Sequence, residues 1–337
     1  MRTPHILTTI IAVALTVQAF AAEVNVYSAR QDSLIVPLLD RFTERTGIEV
    51  NLITGNANAL LSRIQAEGAA TPADVLVTVD AGNLHRAKEA GVLAAVNSAT
   101  LAEQIPVNLR DVDNQWFGLT IRSRPIFYAK DRVNPSELYT YEALTDSQWN
   151  KRICIRSSSN IYNQSLVASM IEANGADATL QWAEGLVSNL ARKPAGGDTD
   201  QLRAAASGQC DLAIANTYYF GRLIDSKKPE DREVVQKLGV FWPNQADRGA
   251  HINVSGMGVT QHAKNREEAI QLLEFMVSED AQAYYAEINH EYPVVQGVVP
   301  SPTIASLGKF RSDALNLSTL GVNNKDAVKV MDRAGWQ

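Results

Sequence analysis

EVNVYSARQDSLIVPLLDRFTERTGIEVNLI, residues 23–53, changes its apolar period twice, and the architecture follows from those two changes. Residues 23–28 alternate, with Val24 and Val26 on one face, which is the signature of a strand. Residues 33–46 then place Leu34, Ile35, Leu38, Leu39 and Phe42 at helical spacing, and Gly47 stops the helix. Residues 48–53 return to the period of a strand. Parallel strands need a crossover of this kind, usually a helix. Downstream the pattern repeats: a helix over 59–67 ends at Gly68, and ADVLVTV, 73–79, is apolar enough for a strand covered on both faces. Strand, helix, strand, helix, strand predicts a parallel α/β lobe. In such sheets ligands sit beyond the carboxyl ends of the strands, so the loops at 27–31 (YSARQ), 55–58 and 80–83 (DAGN) are site candidates by topology, although short polar residues after strands also serve as turns and caps.

Upstream, Arg2 and His5 precede an apolar run, 6–22, that ends in Ala19, Phe20, Ala21 and Ala22. This is the layout of a signal peptide over 1–22, cleaved near Ala21 or Ala22. As a membrane anchor the run is short and is interrupted by Thr8, Thr9, Thr16 and Gln18. The expected product is exported and soluble. A length of 337 residues, with 45% hydrophobic and 20% charged, leaves room for two lobes with separate cores. A net charge of −6, with no concentration of Lys and Arg, argues against nucleic acid. Cys154 and Cys210, an even pair in an exported chain without C-x-x-C, read as a disulfide joining neighbouring strands of one lobe. Two buried thiols are the competing reading.

Residues 113–128 (DNQWFGLTIRSRPIFY) form a long extended stretch that is expected to cross between lobes. As a strand it would carry Arg122 and Arg124 on one face in apolar surroundings, where a guanidinium needs a carboxylate or a bound anion. An internal salt bridge and an anion site are both open at this stage. After a strand at 152–156, SSSNIYNQSL (157–166) offers Ser158, Ser159 or Asn160 as a helix cap and puts Tyr162 in the first turn. Helices at 179–189 and 199–207 lead to a strand at 210–215 and then to NTYYFG, 216–221. With Asn216 or Thr217 as cap, Tyr218 and Tyr219 stand about 100° apart and converge on one point. Two phenols aimed together suit a hard cation, whereas an aromatic pair used for packing is the plainer alternative. Beyond lie a strand at 240–242, a polar loop at 244–249, a glycine-interrupted strand at 252–260, helices at 267–277 and 280–289, an extended 290–294 (HEYPV), and one or two surface helices in the tail. GMG at 256–258 lacks the context of a dinucleotide fingerprint.

VYSARQ (26–31), PADVLVTVDAGNL (72–84), QWFGLTIRSR (115–124), SSSNIYNQSL, NTYYFG and NHEYPV (289–294) together make the chain resemble the periplasmic ferric-ion-binding proteins of bacterial ABC iron importers, across nearly the whole mature length. The resemblance implies a two-lobed type II periplasmic binding protein fold, with residues 23–122 and 249–298 in the N-terminal lobe and 123–248 and 299–337 in the C-terminal lobe. It implies Fe3+ held in the cleft by the phenolates of Tyr162, Tyr218 and Tyr219, with carbonate or bicarbonate as a synergistic anion anchored by Gln31 and Arg122. Many relatives place a histidine or tyrosine just after the first strand; Gln31 and Asp32 stand there here, which points to the three-tyrosine subgroup. Whether Gln31 or Asp80 ligates iron stays open. The implied partners are an ABC permease and its ATPase together with ferric iron or a ferric chelate, and the implied state is a periplasmic monomer. Hinge closure would act near Arg122, Gly249 and Val298. An enzyme is disfavoured by residue type: His85, His251, His262 and His290 stand without H-E-x-x-H, and neither G-x-S-x-G nor C-x-x-C occurs. The same fold could instead bind a small organic ligand of the thiamine, polyamine or phosphonate class, with the tyrosines stacking on it.

Overall fold

The computed structural model describes residues 22–337, so the expected signal peptide lies outside the described residues except for Ala22. Strand β1 (Glu23–Ser28), helix α1 (Asp32–Thr46), β2 (Glu49–Thr54), α2 (Ala57–Glu67) and β3 (Val75–Val79) follow the order read from the sequence. Ile35, Leu38, Leu39 and Phe42 are the buried stripe of α1, and Gly47, at φ 74, closes the helix by donating its N–H to the Thr43 carbonyl. Both β2 and β3 pair with β1 in parallel. After β3 come α3 (Ala81–Glu89) and α4 (Ala99–Gln104), neither of which the periodicity had indicated. Leu84 is the one large apolar residue buried in α3, beside Ala81, Gly82, His85 and Ala87, and Leu101 is the one buried in α4, which leaves little apolar periodicity.

The stretch 113–128 does cross, and it breaks in two. Strand β4 (Phe117–Ser123) belongs to one sheet and β5 (Ile126–Ala129) to another, separated by Arg124 and Pro125, whose ring removes the N–H a continuous strand would use. The second sheet gathers β6 (Ile153–Cys154), β7 (Leu212–Ile214) and β8 (Leu238–Phe241) around β5, in the order β6-β7-β5-β8. Around it lie α5 (Ile161–Asn174), α6 (Ala176–Ser188), α7 (Asp198–Ala206), α8 (Thr217–Ile224) and α9 (Pro229–Lys237). The chain then returns through β9 (Ile252–Val259), α10 (Arg266–Met276), α11 (Glu279–Asn289) and β10 (Tyr292–Pro293), completing the first sheet in the order β10-β4-β9-β3-β1-β2. That sheet is mixed: β9 runs antiparallel to both β3 and β4, because it enters from the opposite lobe. Helix α9 also went unread; it opens on Pro229 and buries only Asp231 and Val234.

Cys154 and Cys210 are bridged with a Cα–Cα distance of 5.9 Å. Cys154 lies in β6 and Cys210 just before β7, its parallel neighbour, as the sequence reading required. The tail corrects its expectation. Beyond α12 (Pro302–Ala305), helix α13 (Ser318–Val322) packs against both α3 and α5, and α14 (Asn324–Arg333) packs on α5 and α6. Leu320 is fully buried, and a Cβ on Gly321 would lie 2.1 Å from the His85 Cβ, so only glycine allows this approach. These are packed elements rather than surface helices.

Candidate metal centre

Two helix starts carry the three tyrosines. Asn160 caps α5 by accepting the Tyr162 N–H at 3.0 Å, which fixes Tyr162 in the first turn. At α8 the Asn216 side chain does not cap the helix; its Oδ1 accepts from Arg124 Nη1 at 3.1 Å, while its backbone N–H donates to Asp198 Oδ2 at 2.8 Å. The β7–α8 corner is thereby pinned one residue before the helix that bears Tyr218 and Tyr219. The Tyr218 hydroxyl lies 3.2 Å from that of Tyr162, and the Tyr218 and Tyr219 rings are 4.3 Å apart. The Tyr218 and Tyr219 rings do pack on each other, and both residues line one cavity with Tyr162.

A cavity of about 180 Å³ opens over these rings, with Arg30, Gln31 and Glu291 on the facing wall and Arg222 at its side. Gln31 is exposed at the start of α1, on the rim. Arg122 is not on the cavity wall: its guanidinium lies behind Tyr162, 5.7 Å from the ring centroid, with that of Arg156 at 5.6 Å. Arg222 sits 5.2 Å from the Tyr218 ring centroid and 5.7 Å from that of Tyr219.

Burial sets the electrostatics of the Tyr162 and Tyr218 phenols. It pushes Tyr162 up to about 12, with Tyr219 adding to the shift and Arg122 opposing it. Burial, then the nearness of Tyr162 and Tyr219, raises Tyr218 well above the ordinary phenol value. Such groups stay neutral at pH 7, and only a strongly charged cation would displace their protons. Among the described residues no group of three His, Cys, Asp or Glu could hold a metal; the oxygen-bearing side chains lining the cavity include the three tyrosines and Glu291.

The two arginines left undecided by the sequence divide. Arg124 takes the internal salt bridge: its Nη1 donates to Asp198 at 2.7 Å and its Nη2 to Asn163 at 2.8 Å. Arg122 donates only to Ser255 Oγ, at 3.0 Å; its Nη2 is 3.9 Å from Asp80 Oδ2, and its Nε and Nη2 are buried without a hydrogen bond. Arg30 likewise keeps Nε and Nη1 unpartnered while its Nη2 meets Glu291 at 3.0 Å. Burial alone would raise the Glu291 pKa, but Arg30, Arg122 and the Thr120 hydroxyl outweigh it and hold the carboxylate ionised. Unpartnered guanidinium nitrogens beside neutral phenols fit a cation that arrives with an anion. Sequence reasoning missed Arg30, Glu291, Arg156 and Arg222. Arg30 and Glu291 lay inside quoted motifs, but their pairing spans 261 residues and left no local signal.

Residues 38–312 match the family of bacterial extracellular solute-binding proteins. The chain is 51% identical to iron uptake protein A1 of Synechocystis sp. over 315 residues, covering 94% of this chain and 88% of that one. Among solved structures it is similar to a Trichodesmium protein (IdiA, FutA) in complex with iron and citrate ligands, at 50% identity and a TM-score of 0.92, covering 94% of this chain and 100% of that one. It is also similar to a ferric binding protein from Campylobacter jejuni, at 39% identity and a TM-score of 0.88, covering 93% and 100%.

Proposed function

This chain belongs to the bacterial extracellular solute-binding proteins, and we propose that it captures ferric iron in the periplasm and presents it to an ABC permease energised by its ATPase. One observation carries the reading: three tyrosines from two separate helix starts line one cavity, with the hydroxyls of Tyr162 and Tyr218 3.2 Å apart, beside guanidinium nitrogens that lack partners. Tyr162, Tyr218 and Tyr219 are the proposed iron ligands, each giving up its proton to the solvent as the cation binds. Carbonate or bicarbonate would fill the remaining positions, held by Arg122 and Gln31. Three phenolates and a dianion bring more negative charge than a ferric ion neutralises, and the surrounding guanidinium groups offset the excess. The Trichodesmium neighbour, with iron and citrate, makes a larger carboxylate the alternative anion. A purely organic ligand is not favoured, because the relatives at about half identity are named for iron.

Closure would be a hinge between a lobe of residues 23–122 with 249–298 and a lobe of 123–248 with 299–337. Membership of β4, β9 and β10 in the first sheet and of β5 to β8 in the second supports that division. The protein would work as a monomer, delivered through a leader cleaved near Ala21 or Ala22.

The test is a visible absorption titration of the purified protein with ferric citrate, with and without bicarbonate, on the wild type and on Tyr219→Phe. A phenolate-to-iron band saturating at one iron per chain, and lost or shifted in the variant, is expected. No band at all would leave an organic-ligand binder as the better account.

A further inference from the structure

Asp80, at the end of β3, has φ 79 and ψ 126. Of the non-glycine residues with positive φ among those described, it has the largest value, and its ψ takes it out of the left-handed helical well towards a region populated almost only by glycine. A strained residue persists only where its surroundings over-determine it. Capping α3 does not demand this conformation, since an ordinary N-cap residue sits in the extended region.

The side chain shows what else the conformation serves. Asp80 is fully buried, and its Oδ1 accepts both the Gly82 N–H, at 2.9 Å, and the Ser165 hydroxyl, at 2.6 Å. Ser165 is also fully buried and belongs to α5, the helix of the other lobe whose first turn carries Tyr162. The Gly82 backbone is approached closely by α5 side chains as well: a Cβ there would lie 3.2 Å from Ile161 Cδ1 and 3.5 Å from Ser165 Oγ. The other carboxylate oxygen, Oδ2, has no hydrogen bond and is 3.9 Å from Arg122 Nη2.

We propose that Asp80 and Ser165 form a latch between the two lobes, with Asp80 as a positioning residue that ties the start of α3 to α5, the helix that carries Tyr162. The effect on cargo rests on the ferric reading; the latch itself does not. A hydrogen bond from a hydroxyl to a buried carboxylate is among the stronger neutral-to-charged contacts, and opening the lobes exchanges it for water. Asp80 need not touch iron to control how long iron stays.

The experiment compares wild type, Ser165→Ala and Asp80→Asn. Alanine is the best helix former, so Ser165→Ala leaves α5 intact, and Asp80→Asn keeps an acceptor for the hydroxyl. By small-angle X-ray scattering on iron-free protein, Ser165→Ala is expected to have a larger radius of gyration than wild type, with Asp80→Asn between them. In ferric-loaded protein, iron release to a competing chelator should quicken by about tenfold in Ser165→Ala, with the phenolate-to-iron band unmoved because no ligand has changed. A radius of gyration and a release rate equal to those of wild type would overturn the latch. If the wild type takes up no iron, the ferric reading fails, and the iron-free scattering comparison still decides the latch.

Discussion

Arg124 and Arg122 are two residues apart and equally buried, yet their partners differ. On the wall built from α5, α7 and α8, Arg124 makes four side-chain hydrogen bonds, reaching Asp198, Asn163 and Asn216. In the first sheet, Arg122 of β4 makes one, to Ser255, and Arg30, which follows β1 and lines the cavity, leaves two of its nitrogens without partners. The first wall is assembled by the protein itself and holds three phenols in place before any cargo arrives. The second side carries guanidinium nitrogens that its own residues do not satisfy, the position in which the proposed anion would complete it. Preorganised donors on one side and unsatisfied groups on the other are what a lobe-closing receptor requires: the ligand binds one wall and recruits the other.

Breaking the finished wall should have the largest effect. Asp198→Asn removes the charge that Arg124 meets at 2.7 Å and Arg156 at 3.6 Å, and weakens the tie to the Asn216 N–H. Loss of one partner from a buried ion pair costs about 3–5 kcal/mol, so denaturant titration should show a clear fall in stability and ferric affinity should drop as the tyrosine pair loses its footing. Arg122→Gln should act on the unfinished wall instead. It should cost less stability, weaken ferric binding by about 10- to 100-fold as outer-shell changes do, and abolish the response to bicarbonate. Equal effects from the two variants would erase the distinction between the walls.

A smaller effect sharpens the comparison from beneath. His251, at the second crossing between lobes, is fully buried, and burial followed by Arg124, Arg122 and Arg248 brings its pKa down from 6.5 to about 3. The unfolded chain therefore binds a proton that the folded one refuses. The stability this group contributes is present above pH 6.5 and is lost as pH falls towards 3. Denaturant midpoints at pH 7, 5 and 4 should decline for wild type and decline less for His251→Gln. The phenols act in the opposite range. With Tyr162 raised from 10.0 to about 12, the iron-free fold keeps a proton that the unfolded chain loses, so stability falls as pH rises through that window.

Much of this was legible in the chain because it is local. Period and stop signals placed β1, α1, β2 and α2 to within a few residues, and the cap at Asn160 and the corner at Asn216 put three tyrosines at helix starts. What was not legible depends on distance along the chain. Nothing in RSR distinguishes Arg122 from Arg124, because the difference lies in Asp198 and Asn216, brought in from another part of the second lobe. Glu291 meets Arg30 across 261 residues, and Ser165 meets Asp80 across 85. The strain at Asp80 has no composition signature at all, since aspartate after a strand usually marks an ordinary cap.

The most direct test of the account is an anomalous difference map, collected at the iron edge, from crystals of the protein loaded with ferric citrate. One peak is expected in the cleft, within bonding distance of the hydroxyl oxygens of Tyr162, Tyr218 and Tyr219, with an anion reaching Arg122. A peak away from those three oxygens, or a cleft filled by an organic molecule without iron, would contradict it.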